Sequence, residues 1–158
     1  MTVFGGDETL VNDVNRPKVR LVQQAAGVQT INTTDTTITF GSGSEDYDTN
    51  GWHDETTNNS RITVDRDGFV DIDGTLVVAN NTTVTALSLT VFKNGVAQPP
   101  VGRDKPAAAN LSHSVSVHAK LECVNGDYFE LVGSTSGASV ASISSGRFAS
   151  VFELEFTK

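Results

Sequence analysis

The sequence has few of the residues that support covalent cross-links or nucleic acid binding. Its single cysteine, Cys123, excludes an intrachain disulfide and a thiolate zinc site, and we expect it to be buried as a small hydrophobic side chain. Only 19% of the residues are charged, and the formal net charge of −8 would repel a phosphate backbone. No cluster of Lys or Arg offsets that charge locally. The sequence therefore predicts that the protein does not bind nucleic acid.

Long apolar runs and a secretory signal are also missing. Nowhere do about 18 apolar residues follow one another, which is the length that a membrane-spanning helix needs. The first residues, MTVFGGDETLVND, lack the basic head and apolar core of a signal peptide. We predict a protein that is made in the cytoplasm and does not contact a membrane.

Motifs of known catalytic chemistry are absent as well. The chain has no G-x-S-x-G, no H-E-x-x-H and no phosphate-binding G-K-[ST] motif. Its three histidines, His53, His113 and His118, do not have the spacing of a metal site or a catalytic triad, although His53 beside Asp54 has the residue types of a general base. The prediction is a protein that is not an enzyme and needs no cofactor or metal.

What the chain does contain is a series of short strand patterns separated by turn residues, beginning near residue 18. In residues 113–123, apolar residues alternate with polar ones, which is typical of a strand with one buried face. Asn94-Gly95 predicts a hairpin turn and Asp67-Gly68 a tight turn. Residues 96–111, with three of the four prolines, are predicted to be a long connection. About ten strands and no helix predict one all-β domain, a sandwich or barrel of the jelly-roll type.

The first 16 residues do not fit any strand or helix period. They are predicted to be an extended arm, followed by a single domain from residue 17 to residue 158. Two interpretations of the arm remain open: a frayed terminus, or a segment that becomes ordered on a partner. The second would use its apolar residues, Val3, Phe4, Leu10 and Val11.

Residues 46–59 form a polar segment that begins like a calcium-binding loop. The spacing D-x-D-x-N-G starts at Asp46, but the twelfth position is Thr57 instead of a bidentate Glu. A looser calcium site remains an alternative to a solvated loop held by Asx-turns. The four carboxylates of that alternative are those of Asp46, Asp48, Asp54 and Glu55.

Within this segment, Trp52, His53 and Asp54 are candidates for a ligand loop. Trp52 is the only tryptophan of the chain. A tryptophan in a polar loop is either a contact residue, for example a platform on which a sugar stacks, or a plug that closes one end of the sandwich. Both interpretations remain open from the sequence.

The last strand pattern, RFASVFELEF, has an outward face that suggests an interface. Ala149 and Val151 alternate with the core residues Phe148, Phe152 and Leu154, so they point away from the core. A monomer would favour charged residues at these positions, whereas the interface of an obligate oligomer is apolar. We predict that Ala149 and Val151 form an interface between copies of this chain.

Several segments together resemble the jelly roll of the C1q/tumour-necrosis-factor-like family, in the form found in phage and bacterial virion proteins. These segments are YDTNGWHD, NNSRITVDRDGFVDIDG, FKNG, the predicted hairpin LECVNGDYFEL, and RFASVFELEF. Gly68-Phe69 matches the start of a long core strand of the family, and Leu121 with Gly126-Asp127 matches a turn between core strands. The resemblance implies a ten-strand sandwich that forms a tight homotrimer, so the predicted interface of Ala149 and Val151 would be a trimer interface.

The resemblance also implies a role in a virion. The expected function is that of a trimeric capsid decoration (cement) protein, which lies on the surface of a phage head and binds the major capsid protein through the arm. The alternative is a receptor- or carbohydrate-binding tip of a tail fibre or baseplate, in which the loop around Trp52 makes the contact.

Overall fold

The computed structural model describes residues 16–23, 29–78, 84–104, 113–137, 141–142 and 149–157. This part of the chain consists of strands and turns and contains no helix. It therefore has no helix that could span a membrane. Its strands are β1 (Lys18–Val22), β2 (Thr30–Ile31), β3 (Thr36–Thr37), β4 (Glu45–Asp48), β5 (Arg61–Thr63), β6 (Gly68–Val78), β7 (Val84–Lys93), β8 (Val96–Asp104), β9 (His113–Cys123), β10 (Tyr128–Gly137), β11 (Ala141–Ser142) and β12 (Val151–Thr157).

The strands form two antiparallel sheets that pack face to face. The first sheet has the order β4-β1-β12-β6-β9. The second has the order β3-β10-β7-β8, with β5 pairing with β10 beside β3. A short pair, β11 and β2, lies apart from both sheets. The predicted all-β jelly-roll sandwich is therefore confirmed.

The buried faces follow the alternation expected for strands. In β9, Val115, Val117 and Ala119 are buried, while the residues between them are exposed. In β12, Phe152 and Leu154 are buried in the same core. Cys123 is 1% exposed, as expected for a small hydrophobic side chain. Because successive side chains in a strand point to opposite faces, each strand contributes every second residue to the layer between the sheets.

Two glycines allow the sheets to interlock. A Cβ atom on Gly74 of β6 would lie 2.6 Å from Cδ2 of Leu131, which reaches across from β10. In the opposite direction, a Cβ atom on Gly133 of β10 would lie 2.8 Å from Cδ2 of Leu76 in β6. Each sheet thus has a gap that is filled by a leucine of the other sheet. This reciprocal fit brings the centres of β6 and β10 into close contact.

Residues 96–104, which contain Pro99 and Pro100, form strand β8. The prediction of a long connection is therefore wrong for this part of the segment. The Asn94-Gly95 turn is confirmed: both residues have positive φ, 52° and 78°, as a two-residue hairpin of type I′ requires, and the turn joins β7 to β8. β8 lies at the edge of the second sheet, where a proline is tolerated because only one side of the strand must pair. A register shift between Thr90 and Val91 leaves Pro99 and Pro100 outside the ladder. The rest of the predicted connection, residues 105–111, lies outside the described residues.

The edges of the two sheets meet where β8 passes β9. A Cβ atom on Gly102 of β8 would lie 2.2 Å from the carbonyl oxygen of Ser116 in β9. No larger residue fits there without moving one of the two backbones. The sandwich is therefore closed along this side by direct contact between an edge strand of each sheet.

Two of the predicted turns connect strands of different sheets instead of neighbouring strands of one sheet. Asp67-Gly68 leads from β5 in the second sheet to β6 in the first, and Gly126-Asp127 leads from β9 back to β10, so the LECVNGDYFEL segment is not a hairpin. Asp127 holds the second crossing: it accepts hydrogen bonds from Nζ of Lys93 at 2.8 Å, Nδ2 of Asn94 at 2.7 Å and the backbone N–H of Val124 at 2.8 Å. Burial alone would raise the pKa of Asp127. The three hydrogen-bond donors together have the larger effect, so the pKa of Asp127 is lowered.

Candidate functional site

The predicted arm residues Val3, Phe4, Leu10 and Val11 lie outside the described residues, so their role stays a prediction. The described chain begins at Arg16, whose guanidinium lies 3.7 Å from the carboxylate of Glu155. The carbonyl of Pro17 accepts a hydrogen bond from the backbone N–H of Phe156 at 2.8 Å. The chain thus enters the domain alongside β12.

The predicted trimer residues lie on the outward face of the first sheet. Ala149 and Val151 are both half-buried in the single chain. Val77 faces outward from the neighbouring strand β6 and is 7% exposed, and its backbone N–H donates to Oγ of Ser150 at 3.1 Å. Val77, Ala149 and Val151 therefore form a small apolar area, which we call the outer-face strip.

The rest of that outward face is crossed by polar contacts between adjacent strands. Nδ1 of His118 lies 2.8 Å from Oδ1 of Asp73, and Nζ of Lys120 lies 3.9 Å from Oδ2 of Asp71. Farther along, the Tyr47 hydroxyl donates to the Glu153 carboxylate, and burial together with this carboxylate raises the pKa of Tyr47 to about 12. The outer-face strip is thus bordered by a polar region, which is the common arrangement of an interface core and its rim.

The acidic side chains of the polar loop bind its own backbone. Asp48 accepts hydrogen bonds from the backbone N–H groups of Asn50, Gly51 and His53 at 2.8 to 3.0 Å. Oδ1 of Asp54 accepts from the N–H and hydroxyl of Thr56 and from the N–H of Thr57. The donor groups of Thr57 and Thr56 lower the pKa of Asp54 to about 2. This is the Asx-turn alternative of the sequence interpretation.

The remaining two carboxylates of the proposed calcium site are also engaged. Glu55 accepts hydrogen bonds from the N–H groups of Gly43 and Glu45, and Asp46 lies 3.4 Å from the guanidinium of Arg20. Among the described residues, no group of three or more His, Cys, Asp and Glu side chains is arranged to hold a metal ion. The four carboxylates thus stabilise the loop and its junction with the first sheet.

Of the two interpretations of Trp52, the structure fits the plug. Its side chain is 3% exposed and belongs to the hydrophobic core, so neither face of the ring is open for stacking on a sugar. Its carbonyl accepts a hydrogen bond from the N–H of Thr63 at 2.8 Å. The guanidinium of Arg66 lies 6.0 Å from the ring, and it binds Asp65 and lowers the pKa of Asp65 to about 2.

His53, next to Trp52, leaves one polar atom unsatisfied. The side chain is 8% exposed, and Nδ1 lies 2.9 Å from the carbonyl oxygen of Arg61. Because a carbonyl can only accept, Nδ1 must carry the proton, and in the neutral ring Nε2 is then an acceptor. Nε2 is buried and has no hydrogen-bond partner among the described residues. A buried acceptor without a partner is uncommon in native proteins.

These residues surround a cavity of about 210 Å³. The structure brings the three predicted loop residues, Trp52, His53 and Asp54, together at one cavity. Arg61 and Thr63 of β5 also line the cavity, and they were not among the predicted site residues. They flank buried Ile62, so the alternation along the strand turns their side chains away from the core, and this alternation is visible in the sequence. The described lining residues are Gly51, Trp52, His53, Asp54, Thr57, Asn58, Arg61 and Thr63.

The fold resembles solved structures of the C1q and tumour-necrosis-factor type. The globular domain of zebrafish complement 1qA protein aligns with a TM-score of 0.66 and 14% identity over 90% of this chain and 98% of that one. Murine APRIL at pH 5.0 aligns with a TM-score of 0.64 and 9% identity over 90% and 99% of the two chains. The Eiger TNF of S. frugiperda aligns with a TM-score of 0.60 and 9% identity over 90% and 93%. The sequence matches no family model and no curated protein. At these identities the likeness establishes the fold alone, a C1q/TNF-like jelly roll.

Proposed function

We propose that the protein is a homotrimeric structural protein of a virion, which decorates the capsid surface of a phage head and stabilises it as a cement protein. In this proposal it is not an enzyme, it is made in the host cytoplasm, and its partner is the major capsid protein. The observation that carries the proposal is the outer-face strip on a C1q/TNF-like sandwich, since C1q/TNF-like domains are homotrimers.

The outer-face strip supports the trimer because it is apolar where most of the sheet face is polar or charged. Ala149 and Val151 keep part of their surface in contact with water in the single chain. Association of three copies would remove that apolar surface from water, at about 25 cal/mol per Å². The ion pairs around the strip would lie at the rim, where they affect specificity more than affinity.

The oligomeric state tests this part of the proposal. In sedimentation equilibrium we expect three times the 16.7 kDa mass of one chain. Val151→Lys places a charge in the strip and should shift the mass toward that of one chain. The matched control is Val124→Lys, at a position that is already 52% exposed and lies away from the strip. A monomeric wild-type protein, or equal effects of the two variants, would contradict the trimer.

Placement on a virion is supported by the resemblance of about residues 18–158 to virion proteins of this type and by the composition of the arm. Val3, Phe4, Leu10 and Val11 give the arm enough apolar residues to bind a neighbouring capsid subunit. Each contact of this kind is weak by itself. Three arms on one trimer, repeated over a shell, would bind together with an avidity well above that of one arm.

Gold-labelled antibody microscopy of particles that carry the protein tests the placement. Dense label over the head is the expected result, and deletion of residues 1–16 should then abolish binding to capsids without changing the trimer. Label confined to the tail would replace this proposal with the alternative, a receptor- or carbohydrate-binding tip.

A further inference from the structure

The cavity beside His53 has the size of a small ligand. Its volume of about 210 Å³ lies below the range of about 300 to 1,000 Å³ that is typical of sites for drug-sized molecules. One wall is the loop of residues 51–58, and the other is β5. An occupant of this volume has one ring with its substituents.

Most of the polar side chains around the cavity have an atom that makes no hydrogen bond to a described residue. Asp54 uses only Oδ1 in its turn, which leaves Oδ2 as an acceptor. The side chains of Thr57, Asn58 and Thr63 make no hydrogen bond to any described residue, and they add two hydroxyl groups and one amide. The cavity thus offers both donors and acceptors, which is the pattern that complements hydroxyl groups.

The charges at the cavity do not favour an anionic ligand. Arg61 is the one cation among the described lining residues. Its Nε donates to Oε1 of Glu130 at 3.1 Å, and its guanidinium lies 4.0 Å from the centre of the Tyr128 ring. A phosphate or carboxylate would need a cation that is not already paired and would also approach the Asp54 carboxylate. An uncharged ligand avoids both costs.

The loop is held in place before any ligand arrives. The turns at Asp48 and Asp54 fix its backbone, and Gly51 and Asn58 occupy left-handed conformations with φ of 69° and 56°. A binding site that is already ordered loses little conformational entropy when a ligand binds.

We infer that this cavity binds a small, uncharged, polyhydroxylated molecule, a single sugar ring or a polyol of similar size, through hydrogen bonds to Asp54, Thr57 and Thr63. Because Trp52 is buried, recognition depends on polar contacts instead of aromatic stacking. The site does not depend on where the protein is located in a particle.

Amide chemical shifts measured by NMR on the full-length ¹⁵N-labelled chain test the inference. The probes are D-glucose, D-galactose, N-acetyl-D-glucosamine and mannitol, with D-glucuronate and inorganic phosphate as anionic comparisons. We expect at least one neutral probe to shift the amides of residues 51–63, with an affinity of about 1 mM for a few hydrogen bonds in an open cavity.

Two variants and a control connect the shifts to the cavity. Thr57→Val and Thr63→Val each remove one exposed hydroxyl group at nearly constant shape. Each should weaken binding by about threefold to tenfold, as the loss of one hydrogen bond does. The control Thr34→Val, at an exposed position outside the cavity, should leave binding unchanged.

Three results would overturn the inference: no shift with any neutral probe, shifts only outside residues 51–63, or binding of the anionic probes alone. If Thr63→Val, in β5, fails to fold, its spectrum will show this, and Thr57→Val then decides the matter, because that side chain is exposed and makes no internal hydrogen bond to a described residue.

Discussion

One added methyl group at Gly74 tests whether the two sheets interlock through their glycines. An alanine Cβ there would lie 2.6 Å from Cδ2 of Leu131 and 3.1 Å from Cγ1 of Val117. Carbon atoms in contact need about 3.5 to 4.0 Å, so the leucine must move by roughly 1 Å. Leu131 is 1% exposed and packed on all sides. We expect Gly74→Ala to cost about 1 to 3 kcal/mol from overpacking, less about 0.5 to 1 kcal/mol gained by removing a glycine from a strand.

A double-mutant cycle separates these two terms. Leu131→Ala alone should cost about 2 to 5 kcal/mol, since it leaves a cavity. In that background the Gly74→Ala methyl group has room, so the double variant should be more stable than the sum of the single effects predicts, by about 0.5 to 3 kcal/mol. Urea denaturation at one fixed protein concentration, followed by circular dichroism, measures each free energy of unfolding.

The control for the cycle is Gly41→Ala, because a Cβ atom at Gly41 has no neighbour within 4 Å. Its effect should be small and should add to that of Leu131→Ala within about 0.5 kcal/mol. If Gly74→Ala is also additive with Leu131→Ala, the interlocking described for β6 and β10 is wrong.

Two further predictions concern the closed edge and the loop carboxylates. Gly102→Ala should lower the melting temperature by several degrees relative to Gly41→Ala in calorimetry, since its Cβ atom meets the Ser116 carbonyl oxygen; equal melting temperatures would refute the contact between β8 and β9. The pKa values of Asp54 and Asp65, about 2, lie below the value of about 3.9 for an unfolded chain, so their stabilisation is complete above about pH 4 and is lost as the pH falls toward 2. The melting temperature should therefore decrease over that interval, and one that is constant from pH 5 to pH 2 would contradict this assignment.

The parts of the fold that the sequence predicted are those that depend on local pattern. The alternation in residues 113–123 and the pair Asn94-Gly95 identified β9 and the β7–β8 hairpin because side-chain period and positive φ are properties of neighbouring residues. β4 was placed in a polar loop, since Asp46 and Asp48 disfavour a strand; its pairing with β1 is a long-range interaction that local propensity does not encode.

The cavity illustrates the same limit at the candidate site. Trp52, His53 and Asp54 were predicted from their composition, and they do lie together. Their environment was not predictable, because the burial of Trp52 in the core and the bond from His53 to the Arg61 carbonyl depend on how β5 returns along the loop. From the sequence alone, the Trp52 side chain had two interpretations, and only the packed core distinguished them.

The two prolines of β8 affect how copies of this protein can associate. Pro99 and Pro100 have no backbone N–H group, and they occupy the middle of an edge strand that also carries exposed Val96 and Val101. An apolar edge with a complete set of N–H groups would be a template for strand-by-strand growth into fibrils. Here the template is interrupted at its centre, so neighbouring copies cannot extend the sheet through β8. The protein can therefore keep this apolar edge without polymerising along it.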